Sequence, residues 1–264
     1  ILPGILEGQE KIYTNVGRYP EFDARILGWL NRIKKFSRSG ISAPYELVDL
    51  GHILHEQRLL KQTEEVRVMK TAAKATMAGH IRAMRICEPG MWEYEVRAEL
   101  ECEFQKSGSQ IPAYTSIVAG GENACILHYV DCNEQLKDGD LLLIDAGAEV
   151  DCYASDVTRT FPVNGKYTHE QKTVYEIVLA AQQAAIEKSV SGNHWNEPHD
   201  AAVKVLVGGL LDIGLLKGEL NELIETEQYK RFYMHRSGHW LGMDVHDVGD
   251  YKVEGEWRAL EPGM

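Results

Sequence analysis

Between Glu64 and Ile213 the hydrophobic repeat switches from a helical period to short strand-like runs and back, and that order restricts the fold more than any single motif. Glu64 and Glu65 open a segment in which Val66, Met69, Ala73, Met77, Ile81 and Met84 recur at helical spacing as far as Ile86. After the punctuation Glu88-Pro89-Gly90-Met91, Val96, Leu100 and Phe104 repeat every four residues, predicting a second helix that ends near Ser107-Gly108. Residues 114–163 are dense in β-branched and aromatic side chains broken by Gly-Gly and Asp-Gly-Asp, the pattern of several short strands and hairpins. Thr168 and Gln171 then form a capping-box pattern ahead of the apolar positions Val174, Ile177, Val178, Ala181 and Ala185. A fourth helix is expected from about Asp200 to Ile213, and residues 231–264 return to Gly- and His-rich turns with strands. The succession of two helices, strands, two helices and strands predicts an α/β fold of the α+β kind and hints at a duplication.

Ahead of this lies a different region. Phe22, Ile26, Leu30 and Ile33 give an amphipathic helix within 19–36, and the Ser-, Gly- and Pro-containing stretch 37–46 reads as a connection. We place a boundary there, at about residue 50 and no later than Leu60. The chain starts at Ile1 and stops at Met264 directly after a turn, so both ends read as cut from something longer. With 28 Lys and Arg against 40 Asp and Glu, the net charge of −12 has the wrong sign for non-specific binding to a phosphate backbone, and nucleic acid is not an expected partner. The apolar runs are far shorter than the roughly 20 residues of a membrane helix. The five cysteines, odd in number and without CxxC spacing, favour a reducing, cytoplasmic setting. Cys125 and Cys152 read as small buried hydrophobes.

The chemistry concentrates in two places. Asp145 follows the apolar run Leu141–Ile144, and a carboxylate at the end of a buried strand has to be neutralised, hydrogen-bonded or bound to a cation. Asp156 lies eleven residues on. A two-residue turn at Val150-Asp151 would pair Glu149 with Cys152 and set Asp145 opposite Asp156, about 5 Å apart at Cβ, a repulsive arrangement unless something positive lies between them. A longer or bulged loop would instead throw the two to different faces, with Asp156 paired to Arg159. The second concentration is the histidine cluster His235, His239 and His246. Ser237-Gly238 and Gly242 argue for a loop rather than a metal-binding helix, and Arg236 stands where a zinc-protease helix would carry Glu. Carboxylate oxygens with one imidazole suit manganese, cobalt, iron or zinc. His128 precedes a turn ahead of the Asp145 strand and either reaches this site or ends a strand.

The strings ENACILHY (122–129), DGDLLLIDAGAE (138–149), YASDVTRTFPVNGK (153–166), HRSGHWLGMDVHDVG (235–249) and LEPGM (260–264) resemble, in order and spacing, those of the bacterial X-Pro aminopeptidase (aminopeptidase P) family. The resemblance runs from about Gln57 to the end, and residues 1–50 look like the C-terminal remnant of that family's N-terminal domain. It implies a pita-bread catalytic domain over 51–264, two pseudo-symmetric halves around two divalent metal ions, usually manganese, without its last strands. Asp145 matches the bidentate terminal ligand, Asp156 the bridging one and His239 the imidazole ligand, while His128, His235 and His246 match the catalytic histidines around the substrate. Two further Glu ligands are expected after LEPGM, and Glu261 matches the turn before them. The implied activity removes the N-terminal residue from peptides with proline in second place, in a homo-oligomer, dimer or tetramer. Prolidase, acting on X-Pro dipeptides, and a non-catalytic interaction module on the same scaffold are the alternatives.

Overall fold

The computed structural model describes residues 2–264, which divide into one unit ending at Arg58 and another running Leu59–Met264. The first holds α1 (Leu2–Leu6), β1 (Lys11–Thr14), α2 (Pro20–Lys34), β2 (Glu46–Asp49) and all but the last residue of α3 (Leu50–Leu59). Ile26, Leu30 and Ile33 of α2 are buried as their spacing predicts. β1 and β2 pair in parallel, Lys11 facing Glu46.

The second unit starts with α4 (Thr63–Ile86) and α5 (Glu93–Lys106). Glu65 begins α4 by accepting the N–H of Gln62 at 2.7 Å, closing a capping box. Val96, Leu100 and Phe104 of α5 are buried, as a repeat of four requires. The buried face of α4 is not the one its hydrophobicity suggests. Ala72, Ala75, Thr76, Gly79, His80 and Ala83 face inward, while Met77 and Met84 are 56% and 42% exposed. Close approach decides this face: at Gly79 the ring of Phe104 lies where a methyl group would go.

A three-stranded antiparallel sheet follows in the order β3 (Ile117–Gly120), β4 (Leu141–Ala146), β7 (Val157–Pro162). Leu142, Ile144 and Ala146 of β4 alternate into the core shared with Ala75, Ala83, Val96, Leu100 and Phe104, so Leu141, Leu143 and Asp145 point to the opposite face. Between β4 and β7 the two-residue strands β5 (Glu149–Val150) and β6 (Tyr153–Ala154) make the tip of the hairpin. The turn is Asp151-Cys152, both at positive φ (47° and 65°), and not Val150-Asp151. A two-residue hairpin turn of this kind needs positive φ at both positions, and a β-branched valine resists it. The turn therefore moves on by one residue and the register by two: Asp145 faces Thr158, and Asp156 is not directly opposite it. A shift of two keeps side chains on their original face.

The second half contains α6 (His169–Lys188), α7 (Glu197–Asp212) and α8 (Leu220–Glu225). The Thr168–Gln171 capping box forms, and α7 starts at Glu197, three residues before the expected Asp200. α6 packs on α7, with Ile177 against Gly209, whereas Val174 and Val178 stand exposed. The strands expected over 231–264 reduce to one small hairpin, β8 (Lys252–Val253) with β9 (Glu256–Trp257). Cys125 and Cys152 are exposed, Cys152 because it occupies the hairpin tip, so neither is the buried hydrophobe expected. Among the described residues no helix is long and apolar enough to cross a membrane.

Gly79→Ala adds a Cβ 2.4 Å from Phe104 Cε1 and 3.0 Å from the Leu100 carbonyl oxygen. Although alanine gains about 1 kcal/mol of helix propensity, overpacking of this order costs about 1–3 kcal/mol. Denaturant unfolding should therefore show a net loss of stability; an unchanged midpoint would mean that Phe104 moves aside freely.

Candidate active site

Because Ile144 and Ala146 pack inward, Asp145 leaves the sheet on the face away from the helices. Asp156 reaches the same face from the other side of the hairpin. Between β4 and β5 the ladder opens, and α4 fills the opening. Thr76 Oγ1 accepts the Ala148 N–H at 2.8 Å and lies 2.5 Å from Ser155 Oγ, and Ser155 Oγ donates to the Ala148 carbonyl at 2.8 Å. Gly147 has no room for a side chain there, since its Cβ would fall 1.6 Å from the Ser155 carbonyl oxygen. Asp156 is thus fixed by its neighbour in the chain, which is held to α4 and, through the Ser155 N–H on the Ala148 carbonyl at 3.1 Å, to the facing arm of the hairpin.

The Tyr114 hydroxyl joins the two carboxylates, 2.5 Å from Asp145 Oδ1 and 2.9 Å from Asp156 Oδ1. Burial, reinforced by both carboxylates, raises the Tyr114 pKa far above its ordinary value, so the hydroxyl keeps its proton. On the far side, His239 Nε2 lies 3.1 Å from Asp156 Oδ2, and His239 Nδ1 faces the Trp240 carbonyl at 2.9 Å. The carbonyl requires a proton on Nδ1, so Nε2 meets the carboxylate either protonated or across a cation. The loop bearing His239 has no regular structure and is held by packing. Trp240 is buried, its ring 4.2 Å from that of Trp195 and stacked on Tyr251 at 5.4 Å. In the same loop the Gly242 carbonyl accepts the Ala154 N–H at 2.8 Å.

These contacts make the two aspartates unequal. Burial raises the Asp145 pKa, whereas the hydrogen bond with His239 lowers that of Asp156, and the same bond raises His239. The Asp156–His239 pair stabilises the fold between the lowered carboxylate pKa and the raised imidazole pKa. That contribution is lost as pH falls through the first or rises through the second.

A cavity of about 250 Å³ adjoins the pair, lined by Tyr114, Thr115, Ile117, His128, Val130, Asp145, Asp156, Val245 and His246. His246 also packs its ring 4.2 Å from that of His239. Five of the six residues singled out from sequence therefore gather here. His235 does not: it is exposed and lines neither this cavity nor the larger one, about 720 Å³, that borders His239. Arg159 donates to the Thr158 carbonyl, not to Asp156. Sequence reasoning missed Tyr114, which no spacing distinguishes, and His80, 3% exposed, whose Nε2 lies 3.2 Å from the Ala146 carbonyl just past Asp145.

Two carboxylates and an imidazole that faces them through Nε2, with Nδ1 engaged by a backbone carbonyl, form a donor set that suits a divalent cation. Three donors are fewer than the four to six such an ion takes, and among the described residues no three His, Cys, Asp or Glu are arranged round one point. The donors close instead on each other and on Tyr114.

The sequence pattern of metallopeptidase family M24 matches residues 67–264. An Xaa-Pro aminopeptidase of Haemophilus influenzae is 45% identical over 264 residues, all of this chain and 59% of that protein. The structure of the Pseudomonas aeruginosa aminopeptidase PepP superposes with a TM-score of 0.95 at 57% identity, covering all of this chain and 60% of that one. A zinc-substituted Escherichia coli aminopeptidase P in complex with product gives 0.93 at 42% identity, over all of this chain and 60% of the other. The chain thus spans about 60% of the length of these relatives.

Asp156→Asn, which keeps the side-chain volume, should lower the pKa of His239 in metal-free protein toward that of a free imidazole. A histidine NMR titration reads this directly, and an unchanged His239 would show that Asp156 does not set its charge.

Proposed function

Because the chain belongs to metallopeptidase family M24 and has that family's pita-bread fold, we propose that it carries a metal-dependent aminopeptidase activity that releases the N-terminal residue from peptides with proline in second place. The observation that carries this reading is the meeting of Asp145, Asp156 and His239 beside a cavity lined by His128 and His246. In this reading residues 51–264 belong to the catalytic domain and 1–50 to the one before it. Asp145, Asp156 and His239 hold two divalent ions, which we assign as manganese, together with acidic ligands from the segment that follows LEPGM in the family. When bound, the ions supply a water acidified toward hydroxide near neutral pH and a Lewis acid for the scissile carbonyl.

The rest is the work of side chains. Tyr114 turns both carboxylates toward one point. His246, packed on His239, and His128 across the cavity present N–H groups to the oxygen that gains charge as the carbonyl is attacked. We also assign His235 to the surroundings of the substrate as a third histidine, although its side chain lines neither cavity. Ile117, Val130 and Val245 offer a wall that asks for no backbone hydrogen bond, which suits a proline that has no N–H to give. We also assign the protein to the cytoplasm, as a homo-oligomer, dimer or tetramer. The five unpaired cysteines support a reducing compartment.

The test is manganese content and release of the first residue from an X-Pro-X tripeptide, on this chain and on one extended past Met264. Bound metal with turnover of the tripeptide supports the reading, turnover of X-Pro dipeptide alone moves it to prolidase, and neither metal nor turnover in either chain leaves a scaffold without the chemistry. Asp156→Asn should abolish metal binding while the fold persists, as judged by circular dichroism and metal analysis. His246→Ala should retain the metal and lower kcat by about 10²–10³, the scale of a lost oxyanion donor; unchanged kinetics would leave His246 a loop residue.

A further inference from the structure

The segment that carries His128 has no helix or strand of its own, and His128 itself stands at φ 54°, a left-handed conformation disfavoured for any residue with a Cβ. Something outside the segment has to hold it against the cavity. A polar anchor is Glu93, the first residue of α5, whose side chain is 0% exposed. Its Oε1 accepts the Gly120 N–H at 2.8 Å and Asn123 Nδ2 at 3.0 Å. Its Oε2 accepts the Tyr129 hydroxyl at 2.7 Å and the Glu134 N–H at 3.1 Å. The Glu93 N–H donates in return to the Glu134 carbonyl at 3.0 Å. One carboxylate thus ties the end of β3, the short turn Gly121–Cys125 and both flanks of the loop, and Tyr129 is the residue next to His128.

The cost of burying such a group argues that the anchor is there for placement. Four neutral donors replace the water a carboxylate gives up, and an apolar side chain would fill the same space without that requirement. Burial, with the bond to Glu93 second, pushes the Tyr129 hydroxyl up to about 12, so it donates across the neutral range. We propose that Glu93 is a positioning residue: acting through Tyr129, it fixes the loop that presents His128 to the carboxylate pair. The catalytic consequence rests on the aminopeptidase reading above; the anchoring does not.

Tyr129→Phe removes the link beside His128 and leaves Glu93 three of its four donors, so it is the variant to make, with Glu93→Gln as the harsher companion. Hydrogen–deuterium exchange over 126–134 should quicken about tenfold or more in Tyr129→Phe, which loses the bond to Glu93 together with the one the hydroxyl accepts from Asn123 Nδ2 at 3.1 Å, while β4 and α5 exchange as before. In the metal-loaded protein, kcat for an X-Pro-X tripeptide should fall about tenfold with KM within about twofold and manganese content unchanged. His128→Ala should then cost much less in the Tyr129→Phe background than alone, because both act on one placement. Unchanged exchange, or losses from the two substitutions that simply multiply, would overturn the proposal. If the unaltered protein fails to turn over the tripeptide, the aminopeptidase reading falls by itself and the exchange result decides the anchor.

Discussion

Two carboxylates on one face of a hairpin repel, and the second unit is organised around that repulsion. Asp145 is carried there by the alternation of β4, and Asp156 by the short link between β6 and β7 on the other arm of the hairpin. Three neighbours keep them together: the Tyr114 hydroxyl between them, the His239 imidazole against Asp156, and the Thr76–Ser155 contact that fixes the chain beside Asp156 to α4. Each comes from a different part of the sequence. The small-residue face of α4 matters for this reason, since only a helix lying close to the sheet lets Thr76 reach the opened ladder.

The same arrangement makes identical residues unequal. Asp145 is pushed up by burial and Asp156 down by its imidazole, so the two separate in proton affinity before any ion arrives. The histidines divide likewise, His239 tied by Nδ1 to its own loop, His128 and His246 left on the cavity wall.

Much of this could be read from the residues, and the failures have identifiable causes. The gathering of Asp145 and Asp156 survived an error in the hairpin, because strands repeat with a period of two and the turn moved the register by two. The helix boundaries followed from spacing and caps, but the buried side of α4 did not, because hydrophobicity scores Met77 and Met84 above the alanines and glycine that close packing selects. Tyr114 left no trace in the sequence, as a lone tyrosine after Pro112-Ala113 resembles any other. The loop over 235–249 was legible as a loop, yet which of its histidines faces inward depends on how Trp240 packs against Trp195 and Tyr251, and no local pattern encodes that.

The bond from Thr76 to Ala148 and Ser155 lies between the carboxylates and the tip of their hairpin. The spacing of the two aspartates is therefore braced by a helix as well as by the register of the hairpin, and the turn at Asp151-Cys152 lies beyond that brace. Insertions at that tip, or a tag or reporter peptide grafted there, can lengthen the hairpin while Asp145 and Asp156 stay where α4 holds them.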